Sequence, residues 1–376
     1  MKKRNICIVT LSISRSGLIP LSNFIDIFDA ISDNLYLISV NDGYTYFRAD
    51  NRVNSYGLIH KRGSNKLTRV INFIYSQFKI SYFVVKLRKQ TNILVFTIGG
   101  DCLLLPMIAA KLLGTKVILA FSGSSVETLR SANDRSFRIL NVVSKITISL
   151  ANKIILYSPN NIQEFGLVRY KYKIDIAPKH FLDFGKFKLK KKFDERDHII
   201  GYIGRFSEEK GILNLVKAIP VVLAETSVKF VLIGDGQLRR EIEDYIHLHK
   251  LESAVQLIGW VNHDDLPNYL NELRLIVLPS YTESLPNVML EAMACGTPVL
   301  ATPVGSIPDV ITDIETGFIM KSNSPECIAK NVLRALKYPY INVIVKNQSK
   351  LVCQEFTFKS AVDRYNRMLS IFERYL

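Results

Sequence analysis

Ser280-Tyr-Thr-Glu283-Ser284-Leu285-Pro286-Asn287-Val-Met-Leu-Glu291-Ala-Met-Ala-Cys-Gly296-Thr-Pro298 is the stretch on which the reading of this chain turns. Just upstream, Leu275-Ile-Val-Leu278 is a continuous apolar run of strand length. Pro286 has the fixed φ and missing N–H that suit a first helical position, and Gly296 followed by Pro298 is a helix stop. The pattern predicts a helix over Asn287–Ala294, apolar on nearly every side and therefore buried. Glu283 then falls in the strand-to-helix loop, and Glu291 lies up to roughly 7–8 Å further along.

A carboxylate inside a buried helix is costly unless it is hydrogen-bonded or paired. Taken alone, Glu291 reads as a cap for neighbouring backbone or as the partner of an Arg. A second Glu in a loop at the carboxyl end of a strand shifts that reading, because open α/β sheets bind ligands there. Two acceptors beside a helix N-terminus suit a polyhydroxylated ligand that carries an anionic group.

With the intervening Pro286 and the trailing Glu291-Ala-Met-Ala-Cys-Gly296-Thr-Pro298, the Glu283-(x7)-Glu291 pattern resembles the signature of retaining glycosyltransferases of family 4. Glu-(x7)-Glu alone is a weak signal; the flanking residues make it specific. The resemblance covers nearly the whole chain. It implies the α/β GT-B fold, in which two doubly wound, Rossmann-like parallel-sheet domains face each other across a cleft.

The length of 376 residues allows two ordinary domains, and 48% apolar composition without a low-complexity tract makes both globular. Five scattered cysteines without Cys-x-x-Cys spacing point to a reducing compartment, and away from a disulfide framework or structural zinc. The amino end, Met1 to Leu11, has too short an apolar core for a signal peptide, and no apolar run is long enough to span a bilayer. A cytoplasmic protein, with a peripheral place on the inner face of the cell membrane, is expected.

The net charge of +15 is uneven, since residues 1–192 carry 30 Lys and Arg against 11 Asp and Glu. A basic half points to an acidic surface or partner. No nucleic-acid-binding module is recognised, which favours an anionic membrane surface or a phosphate-bearing acceptor over nucleic acid.

Short apolar strands alternate with helical stretches through the first half: Ile6–Leu11, Leu35–Val40, Ile93–Ile98, Lys116–Phe121, Lys153–Tyr157 and Ile174–Ala177. A second alternation runs through Ile199–Ile203, Phe230–Ile233, Val255–Ile258, Leu275–Leu278 and Val299–Ala301. The expected domains are 1–185 and 199–355, with the Lys-rich stretch 186–198 as an exposed linker. The amphipathic stretch at about 356–376 reads as a closing helix, and the resemblance implies that it returns to the first domain.

Gly201-Tyr-Ile-Gly204-Arg205-Phe206-Ser-Glu-Glu-Lys210-Gly211 follows a strand and precedes a helix. Arg205 offers a fork for phosphate oxygens and Lys210 a point charge, although two solvated loop charges would look the same. The stretch resembles the family's Gly-Arg-(x4)-Lys-Gly element, which implies that Arg205 and Lys210 hold the donor diphosphate and neutralise charge as it leaves. Gly234-Asp235-Gly236 is a broken dinucleotide fingerprint, because Arg239 replaces the third Gly. It is similar to the family's turn beside the nucleotide.

By the same resemblance Glu291 accepts from ribose hydroxyls, while Glu283 and the backbone at Ser284, Leu285, Pro286 and Asn287 hold the donor sugar. Gly17, with Arg15 beside it, stands where the family commonly has a Gly-Gly loop over the donor phosphates. Ser124 stands near the place where many relatives carry a His. No Asp-x-Asp pair is present to hold a metal, so Lys and Arg are expected to replace the cation, with no cofactor and no metal. None of the six His residues joins a metal cluster or a triad-like arrangement on spacing.

The stretch from Lys66 to Lys89 is dense in apolar, aromatic and basic residues. It reads either as a packed core helix with a solvated basic edge or as a helix lying on an anionic membrane. The function expected is transfer of a hexosyl-type sugar from a nucleotide diphosphate sugar, UDP before GDP, with retention, to a lipid-linked or membrane-borne saccharide. Three alternatives compete: an inactive GT-B scaffold or partner subunit at the membrane, an NAD-dependent oxidoreductase disfavoured by the broken fingerprint, and a sugar-nucleotide epimerase.

Overall fold

The computed structural model describes residues 3–13, 17–60, 65–121 and 137–374, and the chain divides into two units, Met1–His180 with Ala361–Leu376, and Phe181–Ser360. Strands β1 (Asn5–Ile13), β2 (Asn34–Asn41), β3 (Asn54–Leu58), β4 (Ile93–Thr97), β5 (Lys116–Ala120), β6 (Lys153–Leu156) and β7 (Ile174–Ile176) form the first unit's sheet. Their order is β3-β2-β1-β4-β5-β6-β7, parallel at each pairing. Such a sheet needs helical crossovers on both faces, which is why β4 is buried at every residue and reads as an unbroken apolar run.

The second unit's strands are β8 (Ile199–Ile203), β9 (Lys229–Ile233), β10 (Val255–Ile258), β11 (Leu275–Leu278), β12 (Val299–Ala301) and β13 (Phe318–Ile319), again all parallel, in the order β10-β9-β8-β11-β12-β13. From β8 the chain builds outward through β9 and β10, then returns to lay β11 on the other side of β8. The strand order therefore reverses between β8 and β11, and every loop leaving a strand tip emerges at one edge of the sheet.

Each strand expected from an apolar run is present. The two that were not expected lack such a run: β3 is Asn-Ser-Tyr-Gly-Leu on the sheet edge, and β13 has two residues.

Residues 186–198 are largely exposed as expected, but they do not link the two units: they lie inside the second one and are anchored to it. Phe187 and Arg196 are each 2% exposed. The Arg196 guanidinium donates to the carbonyls of Lys191, Leu273 and Cys295. A Lys-rich composition hid two anchors that hold the segment down.

The closing helix spans Phe358–Arg374, and its residues from Ala361 onward belong to the first unit. Tyr365 packs edge-on against Phe24 and Phe28 and donates to Ala177 O at 2.8 Å. Arg4 reaches Glu373 and Ser370 on the same helix.

Beneath that helix, Lys179 is 2% exposed, with its ammonium 4.6 Å from the Phe24 ring centroid. Burial lowers its pKa from 10.5 to about 7. Between those values the unfolded chain keeps a proton that the folded chain has released, so stability rises with pH, by up to about 1.4 kcal/mol per unit. The wild type is expected to gain stability between pH 7 and 10 relative to Lys179→Met, as read from urea unfolding of both proteins across that range. Parallel pH profiles would show that the buried group titrates normally.

Candidate functional site

β8 and β11 lie at the strand-order reversal, and open α/β sheets bind ligands outside strand tips at that place. The loop after β8 carries Gly204, Arg205 and Lys210; the loop after β11 carries Glu283 to Pro286. Lys210 Nζ lies 2.7 Å from Glu283 Oε1, which also accepts from Ser280 Oγ at 2.7 Å. The Glu283 side chain is 9% exposed and that of Lys210 22%, so this pair is largely shielded from water.

The helix that follows covers Asn287–Ala294, with Pro286 as the residue before it, at φ −69°, rather than as its first. It is buried from Met289 to Ala294, and Cys295 N donates to Glu291 O at its end. Four amides at its start, those of Ser284, Leu285, Asn287 and Val288, donate to no protein acceptor among the described residues. Leading amides of this kind carry partial positive charge and suit an anion.

The neighbouring turns are laced together through backbone. Gly204 N donates to Ile233 O, and Phe206 N to Asp235 O, while Phe206 O accepts from Leu238 N. Gly234 sits at φ +139°, and a Cβ there would come within 1.9 Å of Gly204 O. A Cβ on Gly236 would come within 2.4 Å of Phe206 O. The two glycines let these turns touch. The Tyr202 hydroxyl donates to Arg205 O at 2.7 Å, and burial pushes that phenol well above the ordinary tyrosine range, so it remains a donor.

Arg205 does not join Lys210. Its side chain is 58% exposed and meets Glu209 at 3.0 Å, an i,i+4 pair of the solvated kind. On the first unit, Gly17 immediately precedes the Leu18–Asp29 helix. Arg15 and Ser124 lie outside the described residues.

Glu291 has a partner that sequence reasoning missed. His263 Nε2 lies 2.7 Å from Glu291 Oε1, and His263 Nδ1 lies 3.1 Å from Lys186 Nζ. An ammonium can only donate, so Nδ1 is the acceptor and Nε2 carries the proton that it gives to Glu291. The expectation that no His enters such an arrangement is corrected: Lys186, His263 and Glu291 form a relay that keeps a 4%-exposed carboxylate bonded. His263 comes from the loop after β10, twenty-eight positions upstream of Glu291, where no helical or strand period links the two.

Removing His263 takes away the hydrogen bond to a buried carboxylate, which typically costs about 1–3 kcal/mol. His263→Ala is expected to lose that much in urea unfolding, whereas Lys186→Ala, which leaves the His263–Glu291 bond in place, is expected to lose little. Equal losses would place the stabilisation elsewhere.

Among the described residues no three His, Cys, Asp or Glu gather in a way that could hold a metal ion.

Residues 183–352, which contain all of these second-unit groups, match the family model described as glycosyl transferases group 1. The chain carries a group 1 glycosyltransferase domain. An uncharacterized glycosyltransferase of Methanocaldococcus jannaschii is 29% identical over 194 residues, 51% of this chain and 49% of that one. The N-acetyl-alpha-D-glucosaminyl L-malate synthase of Bacillus anthracis is 26% identical over 265 residues, 69% of this chain and 66% of that one. The chain thus spans about half to two thirds of the length of these curated relatives.

A crystal structure of Anabaena HepE in complex with UDP superposes with a TM-score of 0.76 at 17% identity, covering 96% of this chain and 99% of that one. At that identity the likeness speaks to fold. With the two parallel sheets it establishes the GT-B fold that the resemblance implied. The group 1 domain is the second unit, and its reversal point carries Lys210 and Glu283.

Proposed function

We propose that this protein is a retaining glycosyltransferase of glycan or polysaccharide synthesis, which takes a hexosyl-type sugar from a nucleotide diphosphate sugar and passes it to a lipid-linked or membrane-borne saccharide. The observation that carries the reading is the Lys210–Glu283 pair, set at the strand-order reversal and beside the open amides of the Asn287–Ala294 helix. A donor entering there meets a cation and amides for its diphosphate, and a carboxylate for its sugar hydroxyls. A UDP-sugar is favoured over a GDP-sugar, in keeping with the UDP bound by HepE and the N-acetylglucosaminyl group in the name of the Bacillus anthracis relative.

Each group has a definite task in this scheme. Glu291, held by His263, accepts from the ribose hydroxyls, and Gly234 and Gly236 let backbone approach the nucleoside. Lys210, with Arg205 swinging in from solvent, neutralises the diphosphate as the glycosidic bond to it breaks. The acceptor hydroxyl attacks from the face that the diphosphate leaves and gives its proton to the departing phosphate oxygen, so the anomeric configuration is kept. No cofactor or metal is assigned to these steps. The enzyme works at the cytoplasmic side of a membrane, where lipid-linked acceptors are presented.

The test is incubation of the enzyme with UDP-glucose or UDP-N-acetylglucosamine and a membrane extract carrying lipid-linked saccharide. The reading expects release of UDP and a product whose anomeric proton coupling matches that of the donor. An inverted product, or UDP release that does not depend on acceptor, would contradict it.

A further inference from the structure

Three helices of the first unit, Lys66–Lys86, Leu104–Leu112 and Phe137–Leu150, pack in sequence against one another on one face of its sheet. The first is apolar on both sides. Toward the sheet it buries Ile80, Val84 and the polar Ser76 and Gln77, and Gln77 is held by Cys102 O at 2.7 Å and Leu105 N at 3.2 Å. Toward solvent it presents Ile71, Ile74, Phe78, Tyr82 and Val85 at helical spacing, with Phe78 62% and Tyr82 57% exposed.

The third helix repeats this arrangement, burying Ser144 and Thr147 while exposing Ile139, Val142 and Ile146. Leu112, on the helix between them, is 84% exposed. Single exposed apolar residues are ordinary, but exposed apolar side chains recurring on each of three helices that pack in sequence mark an interaction surface.

Charge identifies what that surface meets. Lys79, Lys86, Arg88, Lys89, Arg138 and Lys145 are exposed on these helices or at their ends, and none is ion-paired with a carboxylate among the described residues. Between Asp50 and Glu164 the sequence has three acidic residues, Asp101, Glu127 and Asp134, and Asp101 is buried. A second copy of this chain would bring cations onto cations, which opposes pairing. Apolar side chains ringed by unpaired cations complement anionic lipid, with the rings at headgroup depth and the cations at phosphate.

We propose that this three-helix face docks the first unit onto an anionic membrane. The docking surface rests on the glycosyltransferase reading only for its purpose, which is to bring the enzyme to a membrane-borne acceptor. Lipid binding is measured without donor, so absence of UDP binding would defeat that reading and leave this one standing.

The test floats the full chain with vesicles of phosphatidylcholine alone, or of phosphatidylcholine and phosphatidylglycerol in equal parts, at low and raised salt. Binding to the anionic vesicles alone, weakening with salt, is expected. Ile74→Ser/Phe78→Ser/Tyr82→Ser and Lys79→Glu/Lys86→Glu are each expected to weaken it at least about tenfold. These side chains are exposed, so the thermal midpoint is expected to stay in place; Leu112→Ser with Ile139→Ser repeats the test on the other two helices. Wild type that ignores anionic vesicles, or variants that bind as it does, would overturn the proposal. So would self-association in sedimentation velocity that the same variants abolish, because that would give the face to a second copy.

Discussion

Lys210→Met is expected to lower both stability and turnover, and adding Glu283→Gln is expected to restore stability alone. The single change leaves Glu283 as a 9%-exposed carboxylate with Ser280 as its remaining partner. Breaking a fully buried pair costs about 3–5 kcal/mol, and the partial exposure of Lys210 reduces this to about 1–3. Turnover is expected to fall about 10²–10³-fold, the usual loss when a group that stabilises developing charge is removed. The double variant removes both charges from the site, so urea unfolding is expected to return to within about 1 kcal/mol of wild type. UDP release would stay low, because neither the ammonium nor the carboxylate is present. A pair with a purely structural role would recover on both measurements.

Gly305→Ala is expected to act on the site from outside it. Gly305 lies in the loop after β12 at φ +57°, and a Cβ there would come within 2.0 Å of Glu283 O. Ser306 N donates to Ser284 O at 2.8 Å, so this loop is the wall against which the Glu283–Ser284 backbone rests. An alanine must adopt left-handed backbone, which costs roughly 1–2 kcal/mol, and must also push Glu283 aside. Gly114 provides the internal control, since it has φ +69° and no atom within 4 Å of its Cβ position. Gly114→Ala is expected to lose only the backbone cost, and to leave turnover intact. Gly305→Ala is expected to lose more stability and at least about tenfold in turnover, as displacements near 1 Å at a site do. Equal effects of the two changes would mean that the loop does not support Glu283.

The parts of this molecule that were legible from its sequence are those set by local pattern. An unbroken apolar run means a strand covered on both faces, so β4, β8 and β11 could be placed to within a residue or so. Pro286 and Gly296 bracket the Asn287–Ala294 helix because one cannot continue a backward hydrogen-bond ladder and the other takes positive φ cheaply. The parts that were not legible depend on chain segments meeting far from one another. His263 reaches Glu291 only because β10 and β11 deliver their loops to the same sheet edge. Arg196 anchors a Lys-rich stretch through carbonyls some eighty and a hundred positions away, a contact that composition cannot signal.

The Lys66–Lys86 helix shows a third kind of limit. Its apolar residues surround the axis, so periodicity does not say which side faces the sheet. The decision came from Gln77, whose amide is tied to Cys102 and Leu105. Ile80 and Val84 enter the core on the same side as Gln77, which leaves Phe78 and Tyr82 outward.

The most direct test of the central claim, a donor site at the β8–β11 reversal, is thermal stabilisation by UDP, GDP and ADP in EDTA, for the wild type and Glu291→Ala. A nucleotide at 100 times its dissociation constant adds about 2.7 kcal/mol, which is visible as a clear rise in midpoint. A rise with UDP that exceeds those with GDP and ADP, and that disappears in Glu291→Ala, is expected. Absence of a rise with all three nucleotides, or a rise with UDP that Glu291→Ala leaves intact, would contradict it.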